Sequence, residues 1–600
     1  MVKADWIDLG LLVDFPENEA VLRKDDAGRR YTCVRVGDEV NALDDRCPHQ
    51  GYPLSQGCVR DGVLTCAWHN WKFDLATGGN QFGGDPVRRY PTRVEDGRVH
   101  LNRAIDRGAE TRRLLASLRT ALSRDEMSRA LREALRLSEL GLPIGEDSGL
   151  GKMGIAFEVV ARDGAERAEY GFDHGLAMLT DLCAWVERGW VPVEEAFIVA
   201  AHAIAEPSRH LPQRSKVLAK HGGRALVAFL GSYEERQEPA KIVAALETEH
   251  REEAEARIRE LVEAEGAEGA RAAVLPFVAR NLLDYGHGAI FLAKACELAA
   301  RFPAVADDLL AAAVVQLSWA TLDTTLPPWA ATRAALDKLS AVLDERPESA
   351  AGGVALLLDP AERTTYEAQV LTGERQAIEA TLALLGRGID PVSLLRAVAH
   401  VAAVRLSRFD SAWERRTDAE VGVLDVTHAV TFAQAAIALV DGKPGTTQFA
   451  AQFAVLAAAF VGKLRRADEP ASDIAETQGA AAHEDLVEPG SLLQAAQARD
   501  VKRALRIAAG LDATGRARAY AELAPFAAFD AAVRPIFAAH AVKMTEAMHR
   551  LEAEDPHADG AYLKALLTYM VPRRPELQVR RIAEVARRFL QDGRPPEELY

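Results

Sequence analysis

Two short loops near the amino terminus restrict the fold of this chain more than any other feature. Cys47 and His49 stand two positions apart and Cys66 and His69 stand three apart, with sixteen residues between the pairs, giving C-x-H-x16-C-x-x-H. Two thiolates and two imidazoles are a complete donor set for one metal centre. The four side chains can share such a centre only if the two loops meet in space. This part of the chain must therefore fold to bring them together.

Two kinds of metal centre use this donor set. Structural zinc sites usually pair Cys with Cys and His with His along the chain, whereas each loop here carries one of each. One thiolate and one imidazole per loop instead match a [2Fe-2S] cluster in which both histidines bind one iron. The zinc site remains the alternative interpretation.

The sequences around the loops, CPHQGYPLSQG and CAWHNWKFDLATG, resemble the Rieske ferredoxin family over residues 1 to about 105. The resemblance implies a small antiparallel β domain with Cys47, His49, Cys66 and His69 as cluster ligands. Strand-like runs at residues 31–36, 62–66 and 99–101, separated by Gly/Asp turns, agree with such a domain. Cys58 is expected in its core.

From about residue 108 the apolar residues recur at helical spacing. We therefore predict a Rieske domain at 1–105, a helical connector at 106–154 and a large all-α metal-dependent oxidase or oxygenase-like domain at 155–600. The longest apolar run, 449–461, is interrupted by Gln452 and is expected to be a core helix that is too short to span a bilayer.

Composition restricts the partners and the location. A net charge of -16 argues against nucleic acid or an anionic membrane surface as the main partner. Six cysteines in 600 residues, two of them assigned to the cluster, give no disulfide framework, and the amino terminus lacks a secretory signal pattern. A cytoplasmic protein is expected.

The helical region has isolated histidines in apolar sequence and lacks the closely spaced His pair of a Rieske oxygenase iron site. A buried imidazole needs partners for both ring nitrogens, and one shared metal would satisfy several rings at once. Six histidines have this context: His174, His202, His287, His400, His428 and His540.

Four phrases in this region, DHGLAMLTDL, GHGAIFLAKACEL, THAVTFAQAAIAL and HAVKMTEAMHRL, resemble the questin-oxidase-like family. That family oxygenates polycyclic aromatic quinones with a mononuclear non-heme iron, held by four histidines and a carboxylated lysine. Carried over by matching phrases, the resemblance implies a mononuclear Fe(II) bound by His174, His287, His428, His540 and Lys543.

Helical spacing supports one part of this ligand set. His540 and Lys543 lie three residues apart and share a helix face. Desolvation near a dication favours the neutral amine that carboxylation requires. Two alternatives stay open. Lys543 could be a surface lysine, and His202 or His400 could replace one of the four histidine ligands.

Nearby acidic residues leave further alternatives. Asp173, Asp284 and Asp425 precede candidate histidines and can cap helices or orient imidazoles, with capping preferred for Asp425. Two Glu-x-x-His pairs also suggest a ferritin-like di-iron site: Glu247 with His250, and Glu546 with His549.

The expected function is an oxidoreductase in which the Rieske cluster passes electrons to the second iron, which activates O2 to oxygenate an aromatic or quinone-like small molecule. The GxGxxG match at residues 149–154 lies in a Gly-rich loop and follows no strand-like run, so it does not indicate a nucleotide site, and an external NAD(P)H-dependent reductase is the expected electron donor. The alternative is an electron-transfer protein with a helical docking scaffold that serves a separate oxidase. The sequence leaves homo-oligomerisation open.

Overall fold

The computed structural model describes residues 5–82, 84–104, 106–140, 150–168, 170–205, 239–345, 356–415, 419–420, 422–469, 490–532, 535–572 and 597–598. The chain divides into two compact units, Met1–Pro143 and Ile144–Tyr600. A small antiparallel β domain is thus followed by a large helical region, as the sequence predicts.

The described residues of the first unit contain ten short strands: β1 Trp6–Leu11, β2 Ala20–Lys24, β3 Arg30–Val36, β4 Glu39–Asp44, β5 Cys58–Arg60, β6 Val63–Thr65, β7 Lys72–Asp74, β8 Arg89–Tyr90, β9 Thr92–Glu95 and β10 Arg98–Asn102. They form three antiparallel sheets, ordered β1-β10-β9, β2-β3-β4-β8 and β5-β6-β7. The three predicted strand runs correspond to β3, β6 and β10.

Strand β3 contributes to both hydrophobic clusters of this unit. Tyr31 and Cys33 point into one cluster and Val34 into the other, because alternate side chains of a strand face opposite sides. The second cluster also contains Cys47 and Cys66, so the two cysteine loops rest on a packed apolar core.

The expectation for Cys58 is wrong, because its side chain is exposed. It begins the three-residue strand β5, in which only Val59 packs against the core. Alternation along this short strand directs Cys58 away from the core.

Two helices complete the first unit: α1 (Arg107–Ser123) and α2 (Met127–Glu139). They pack against each other as a helical hairpin. Asp106 caps α1 by accepting a hydrogen bond from Ala109 N. The predicted connector therefore contains this hairpin, while its residues 141–149 lie outside the described part of the chain.

The second unit is helical over nearly all of its described length. Its α-helices are Gly154–Arg167, His174–Glu187, Val193–Ala205, Pro239–Glu247, Arg251–Val278, His287–Arg301, Ala306–Trp319, Ala330–Asp344, Pro360–Thr372, Glu374–Gly386, Pro391–Arg408, Val423–Val440, Thr447–Lys463, Ser491–Gln497, Val501–Ala509, Ala513–Pro525, Pro535–Glu554 and Ala561–Met570. Two residue pairs, Ala419–Glu420 and Glu597–Glu598, form a short parallel bridge.

Four of these helices carry the candidate ligands and pack on one another. The helix His174–Glu187 contacts both His287–Arg301 and Pro535–Glu554, and each of these two contacts Val423–Val440. The four helices therefore form a closed ring of contacts. Positions separated by more than 100 residues in sequence come together inside that ring.

Three helical segments of the described chain are long and apolar enough to cross a membrane, judged by length and composition alone: Pro303–Thr325, Val423–Val440 and Thr447–Asp468. Most of each segment is buried inside the helical unit. The apolar run at 449–461 is a core helix, as predicted, but the helical segment around it is longer than the run itself.

Candidate metal centres

The two cysteine loops have the same backbone hydrogen bonding. The Cys47 N–H donates to the Tyr52 carbonyl, and the Cys66 N–H donates to the Trp71 carbonyl, each over 2.8 Å. Both bonds join a cysteine to the residue five positions later. Each loop is therefore a closed turn that starts at its cysteine.

The residue four positions after each cysteine adopts a left-handed conformation. Gly51 has a φ of 77° and Asn70 a φ of 59°. Their N–H groups donate to the carbonyls of Cys47 and Cys66, over 2.8 and 3.2 Å. Glycine and asparagine tolerate positive φ better than other residues, so the sequence supports this turn in both loops.

The predicted ligands meet at the ends of these loops. Nδ1 of His49 lies 3.1 Å from Nδ1 of His69. The two cysteines are only 2% exposed, whereas His69 lies at the surface. Two buried thiols and two adjacent outer imidazoles match an iron–sulfur cluster whose inner iron is held by sulfur and outer iron by nitrogen.

The environment of Cys47 also suits a metal ligand. Burial raises the pKa of its thiol to about 11, while N–H groups of His49 and Gln50 donate to the sulfur and act in the opposite direction. Ferric ions would supply the positive charge that converts such a thiol to the thiolate. The residues present therefore fit a [2Fe-2S] cluster.

Two tryptophans hold the imidazoles in place. The Trp71 ring stacks on His49 with 4.6 Å between centroids, and the Trp68 ring stacks on His69 at 4.8 Å. Both tryptophans belong to the second loop, so this loop orients the histidines of both. Sequence reasoning did not assign them this role, although both lie within four residues of a ligand.

Charged groups beyond the loops also act on His49. Burial lowers the pKa of His49, and the His69 ring and the Arg132 guanidinium lower it further. The Asp85 carboxylate raises it. The electrostatic influence of helix α2, which carries Arg132, therefore reaches a predicted cluster ligand.

The second candidate centre lies inside the ring of four helices. Nε2 of His287 is 3.2 Å from Nε2 of His174, and Nε2 of His540 is 3.1 Å from Nε2 of His428. The two pairs lie side by side, since the ring centroids of His287 and His428 are 4.5 Å apart and those of His174 and His540 are 4.6 Å apart. All four predicted histidines therefore face one another, while their role as ligands stays a prediction.

The hydrogen bonds of the outer ring nitrogens determine whether the facing nitrogens carry a proton. His540 Nδ1 donates to the Ile536 carbonyl over 2.7 Å, and His428 donates to the Leu424 backbone. Burial lowers the pKa of both rings well below 6.5, so each is neutral and carries one ring proton. Once that proton is donated to the backbone, the facing Nε2 has only a lone pair.

His287 follows the same pattern. Burial lowers its pKa to about 3, and its ring bonds to the backbone of Asp284. At least three facing nitrogens are therefore acceptors, and acceptors about 3 Å apart repel each other unless a cation lies between them. Backbone carbonyls that bind the outer ring nitrogen are the usual support of metal-binding histidines.

An unusual turn places His287. Leu283, Asp284 and Tyr285 are consecutive non-glycine residues with φ between 48° and 59°, and Gly286 follows with a φ of 91°. Such backbone is strained for ordinary residues and persists only where packing enforces it. A Cβ at Gly286 would lie 2.6 Å from a Phe432 ring carbon, so glycine is required there.

Aromatic side chains border the histidines. The Phe291 ring stacks on His287 at 4.9 Å and meets His174 edge-on at 5.4 Å. Tyr285 is 43% exposed, and its ring lies 6.1 Å from His428. Sequence reasoning missed both residues; Phe291 stands four positions after His287, on the same helix face.

Lys543 is buried beside the histidines. It is 2% exposed and its Nζ has no hydrogen-bond partner among the described residues. Burial lowers its pKa to about 7, and its charge lowers the pKa values of His428 and His540. The alternative of a surface lysine is therefore wrong, and the environment favours the neutral amine that carboxylation needs.

The two other candidate histidines lie outside this group. His202 is exposed on the helix Val193–Ala205, contrary to the expected burial. His400 Nδ1 is 3.1 Å from the Glu367 carboxylate, and its ring faces Tyr562. Neither takes the place of one of the four clustered histidines.

The second Glu-x-x-His pair has a different set of partners. Glu546 is buried and accepts hydrogen bonds from Trp185, Arg188 and Arg550. These guanidinium groups hold the pKa of Glu546 below its usual range even though burial acts to raise it. Its carboxylate is thus already occupied by protein donors, which argues against the di-iron alternative.

The first pair lies at the surface. Glu247 and His250 are both exposed, and His250 Nδ1 contacts the Thr248 hydroxyl at 2.9 Å. The high charge of the sequence ETEHREEAEARIRE suggests a solvated helix, but this holds only for its first residues, because Glu255, Arg259 and Glu260 are buried. Arg259 pairs there with Glu255 and with two aspartates of a neighbouring helix.

The three aspartates have separate roles. Asp173 caps the helix that begins at His174, by accepting from the N–H groups of Gly175 and Leu176. Asp425 accepts from the Gly422 N–H at the start of its helix, which confirms the preferred capping role. Asp284 supports His287 through its backbone and accepts from Thr321 N through its side chain.

The fold and loops of the first unit define an iron–sulfur electron-carrier domain. A model of the Rieske [2Fe-2S] domain matches residues 5–90. The chain belongs to the Rieske [2Fe-2S] family through this amino-terminal domain.

Three relatives illustrate the match. The anthranilate 1,2-dioxygenase ferredoxin subunit of Burkholderia cepacia is 39% identical over 102 residues, 16% of this chain and 93% of that protein. A ferredoxin component of naphthalene 1,2-dioxygenase/salicylate 5-hydroxylase systems from a Ralstonia species is 31% identical, covering 16% and 94%. The 4beta-methylsterol monooxygenase of Methylococcus capsulatus is 38% identical over 74 residues, only 10% of this chain and 20% of that protein.

Proposed function

We propose that this protein is an oxygenase with a built-in electron donor. Cys47, His49, Cys66 and His69 would hold a Rieske cluster as the entry point for electrons from an external NAD(P)H-dependent reductase, and His174, His287, His428 and His540 would hold a mononuclear iron as the acceptor. Reduced iron at such a site supplies O2 activation, and an aromatic or quinone-like molecule is the proposed substrate. The relatives of the Rieske domain named above belong to oxygenase systems, which supports this class of reaction.

The arrangement of ring nitrogens carries the proposal. His428 and His540 each donate their only ring proton to the backbone and direct an Nε2 lone pair at the other across 3.1 Å. A bound cation turns this repulsion into ligation. Histidine suits Fe(II), and four neutral imidazoles leave the metal charge to be balanced by an anionic ligand.

Lys543 is the proposed source of that anion. Its amine is buried, has no hydrogen-bond partner among the described residues, and is close enough to perturb His287, His428 and His540 electrostatically. Reaction of the neutral amine with CO2 forms an N–C bond, releases one proton and leaves a carbamate. The carbamate oxygen then supplies the negative charge, as the questin-oxidase-like resemblance also implies.

Aromatic side chains border the proposed metal site. Phe291 is buried against His174 and His287, so it keeps water from one side of the site. Tyr285 is partly exposed, and its ring lies 6.1 Å from that of His428, so we propose it as a contact for a flat substrate. Exclusion of water and orientation of the substrate are the main contributions of protein in such sites.

Iron content tests the proposal. Purified protein should hold three irons per chain: two in the cluster and one in the helical unit. His428→Ala should hold two irons and keep the Rieske EPR signal. His400 contacts Glu367 and lies outside the group of four histidines, so His400→Ala should still hold three irons. Two irons per chain in the native protein, with a fully loaded Rieske cluster and no other metal, would refute the second centre.

The nearly complete coverage of ferredoxin subunits favours a second candidate, an electron-transfer protein that serves a separate oxidase. Single-turnover oxidation separates the two. Anaerobically reduced protein mixed with O2 and a quinone-like substrate should reoxidise its cluster and form product in the oxygenase, and His428→Ala should abolish product. An electron-transfer protein would yield no product without a partner.

A further inference from the structure

A loop of the β domain connects the cluster site to the helical hairpin. A Cβ at Gly84 would lie 2.9 Å from Cη2 of Trp71, so the backbone there packs directly against this tryptophan. Trp71 in turn stacks on His49. The position after Gly84 is Asp85, so a charged residue lies two contacts from a cluster ligand.

Asp85 is buried and contacts arginine side chains of helix α2. It is 0% exposed, and Arg132 donates a short hydrogen bond to its Oδ2. Nε of Arg129 and Nη1 of Arg136 approach Oδ1 at 3.7 and 3.9 Å. These three arginines recur at helical spacing along one face of α2.

Two of the three arginines have a second carboxylate. Arg129 bonds to Glu126 and Arg136 bonds to Glu133, each over 3.0 Å. For Arg132, in contrast, Asp85 is the carboxylate partner that the described contacts provide.

We propose that the helical hairpin tunes the reduction potential of the Rieske cluster through the Arg132–Asp85 ion pair. One-electron reduction adds one negative charge at the cluster. The nearby guanidinium of Arg132 stabilises that charge, and the carboxylate of Asp85 opposes it. Arg132 and Asp85 are therefore positioning residues that act through the electric field and through the packing of Gly84 on Trp71.

Two neutral substitutions test this assignment in the full-length protein. Arg132→Gln should lower the midpoint potential, and Asp85→Asn should raise it. An effect on the order of tenfold in the reduction equilibrium corresponds to ~59 mV for one electron. The potentials are read from dithionite titrations followed by the cluster's EPR and circular dichroism. Arg112→Gln, at an exposed position of α1, is the matched control.

The opposite signs separate electrostatic tuning from mere support of the fold. Loss of hairpin packing would shift both variants in the same direction, and that result would overturn the proposal. A potential for Arg132→Gln equal to that of Arg112→Gln would overturn it as well. If Asp85→Asn fails to incorporate the cluster, the difference in midpoint potential between Arg132→Gln and Arg112→Gln tests the proposal. The readout requires no second metal, so it is independent of the proposed oxygenase activity.

Discussion

Replacing Lys543 by methionine should stabilise the helical unit when its proposed metal is absent. The amine of Lys543 is buried without a hydrogen-bond partner, and burial lowers its pKa from 10.5 to about 7. At ~1.4 kcal/mol per pKa unit, this difference corresponds to ~5 kcal/mol of unfolding free energy at neutral pH. Methionine has similar length and no charge, so it removes this penalty while it preserves most of the packing.

The pH dependence has a definite sign. Because the folded-state pKa lies below the unfolded-state value, the unfolded chain binds more protons between pH 7 and 10.5. The stability of the native sequence should therefore rise with pH through this window. The advantage of Lys543→Met should be greatest at and below pH 7 and should disappear near pH 10.5.

The assay is urea unfolding followed by far-UV circular dichroism, in CO2-free buffer, after chelation of the second metal. Lys294→Met is the matched control, because Lys294 is also buried (4% exposed) but its Nζ lies 2.6 Å from the Asp181 carboxylate. Removal of Lys294 leaves that carboxylate unpaired and should destabilise the fold by ~3 to 5 kcal/mol. If Lys543→Met is no more stable than the native protein at pH 7, the amine is not held neutral by burial and the reasoning fails.

Two further substitutions have defined outcomes. Gly286→Ala places a methyl group against Phe432 at a backbone φ of 91°, so it should lower the free energy of unfolding by ~1 to 3 kcal/mol and reduce occupancy of the proposed second metal. Thermal unfolding and iron analysis measure these two effects. Unchanged values for both would contradict the role of the turn. His69→Cys adds a thiolate to the outer iron and should lower the cluster potential in an EPR-monitored titration. The proposed iron of the helical unit should stay in place, and its loss would mean that the two sites are not independent.

The spacing of Cys47, His49, Cys66 and His69, together with the resemblance of the sequences around them, predicts the Rieske domain, since the ligands stand in two local turns with recognisable glycine and asparagine positions. The strand pattern and the helical periodicity likewise report local geometry. Burial of Cys58 and His202 was predicted wrongly, because a short strand or a small-residue helix does not reveal which face meets the core. The sequence likewise does not show whether Lys543 is buried or exposed, because this depends on the packing of its helix.

The choice among six histidines shows the limit of local sequence most clearly. His202 and His400 have the same apolar, helical context as His428 and His540, yet they lie outside the group. The difference arises from contacts between helices far apart in the chain, and from the left-handed turn before His287, for which only Gly286 gives a local signal. Local sequence therefore indicates the cluster domain, whereas long-range packing alone brings together the four facing imidazoles and the buried lysine beside them, and places Arg132 against Asp85. Metal donors within one loop are ordered by that loop's own hydrogen bonds, but donors from four helices meet only when the whole core is assembled.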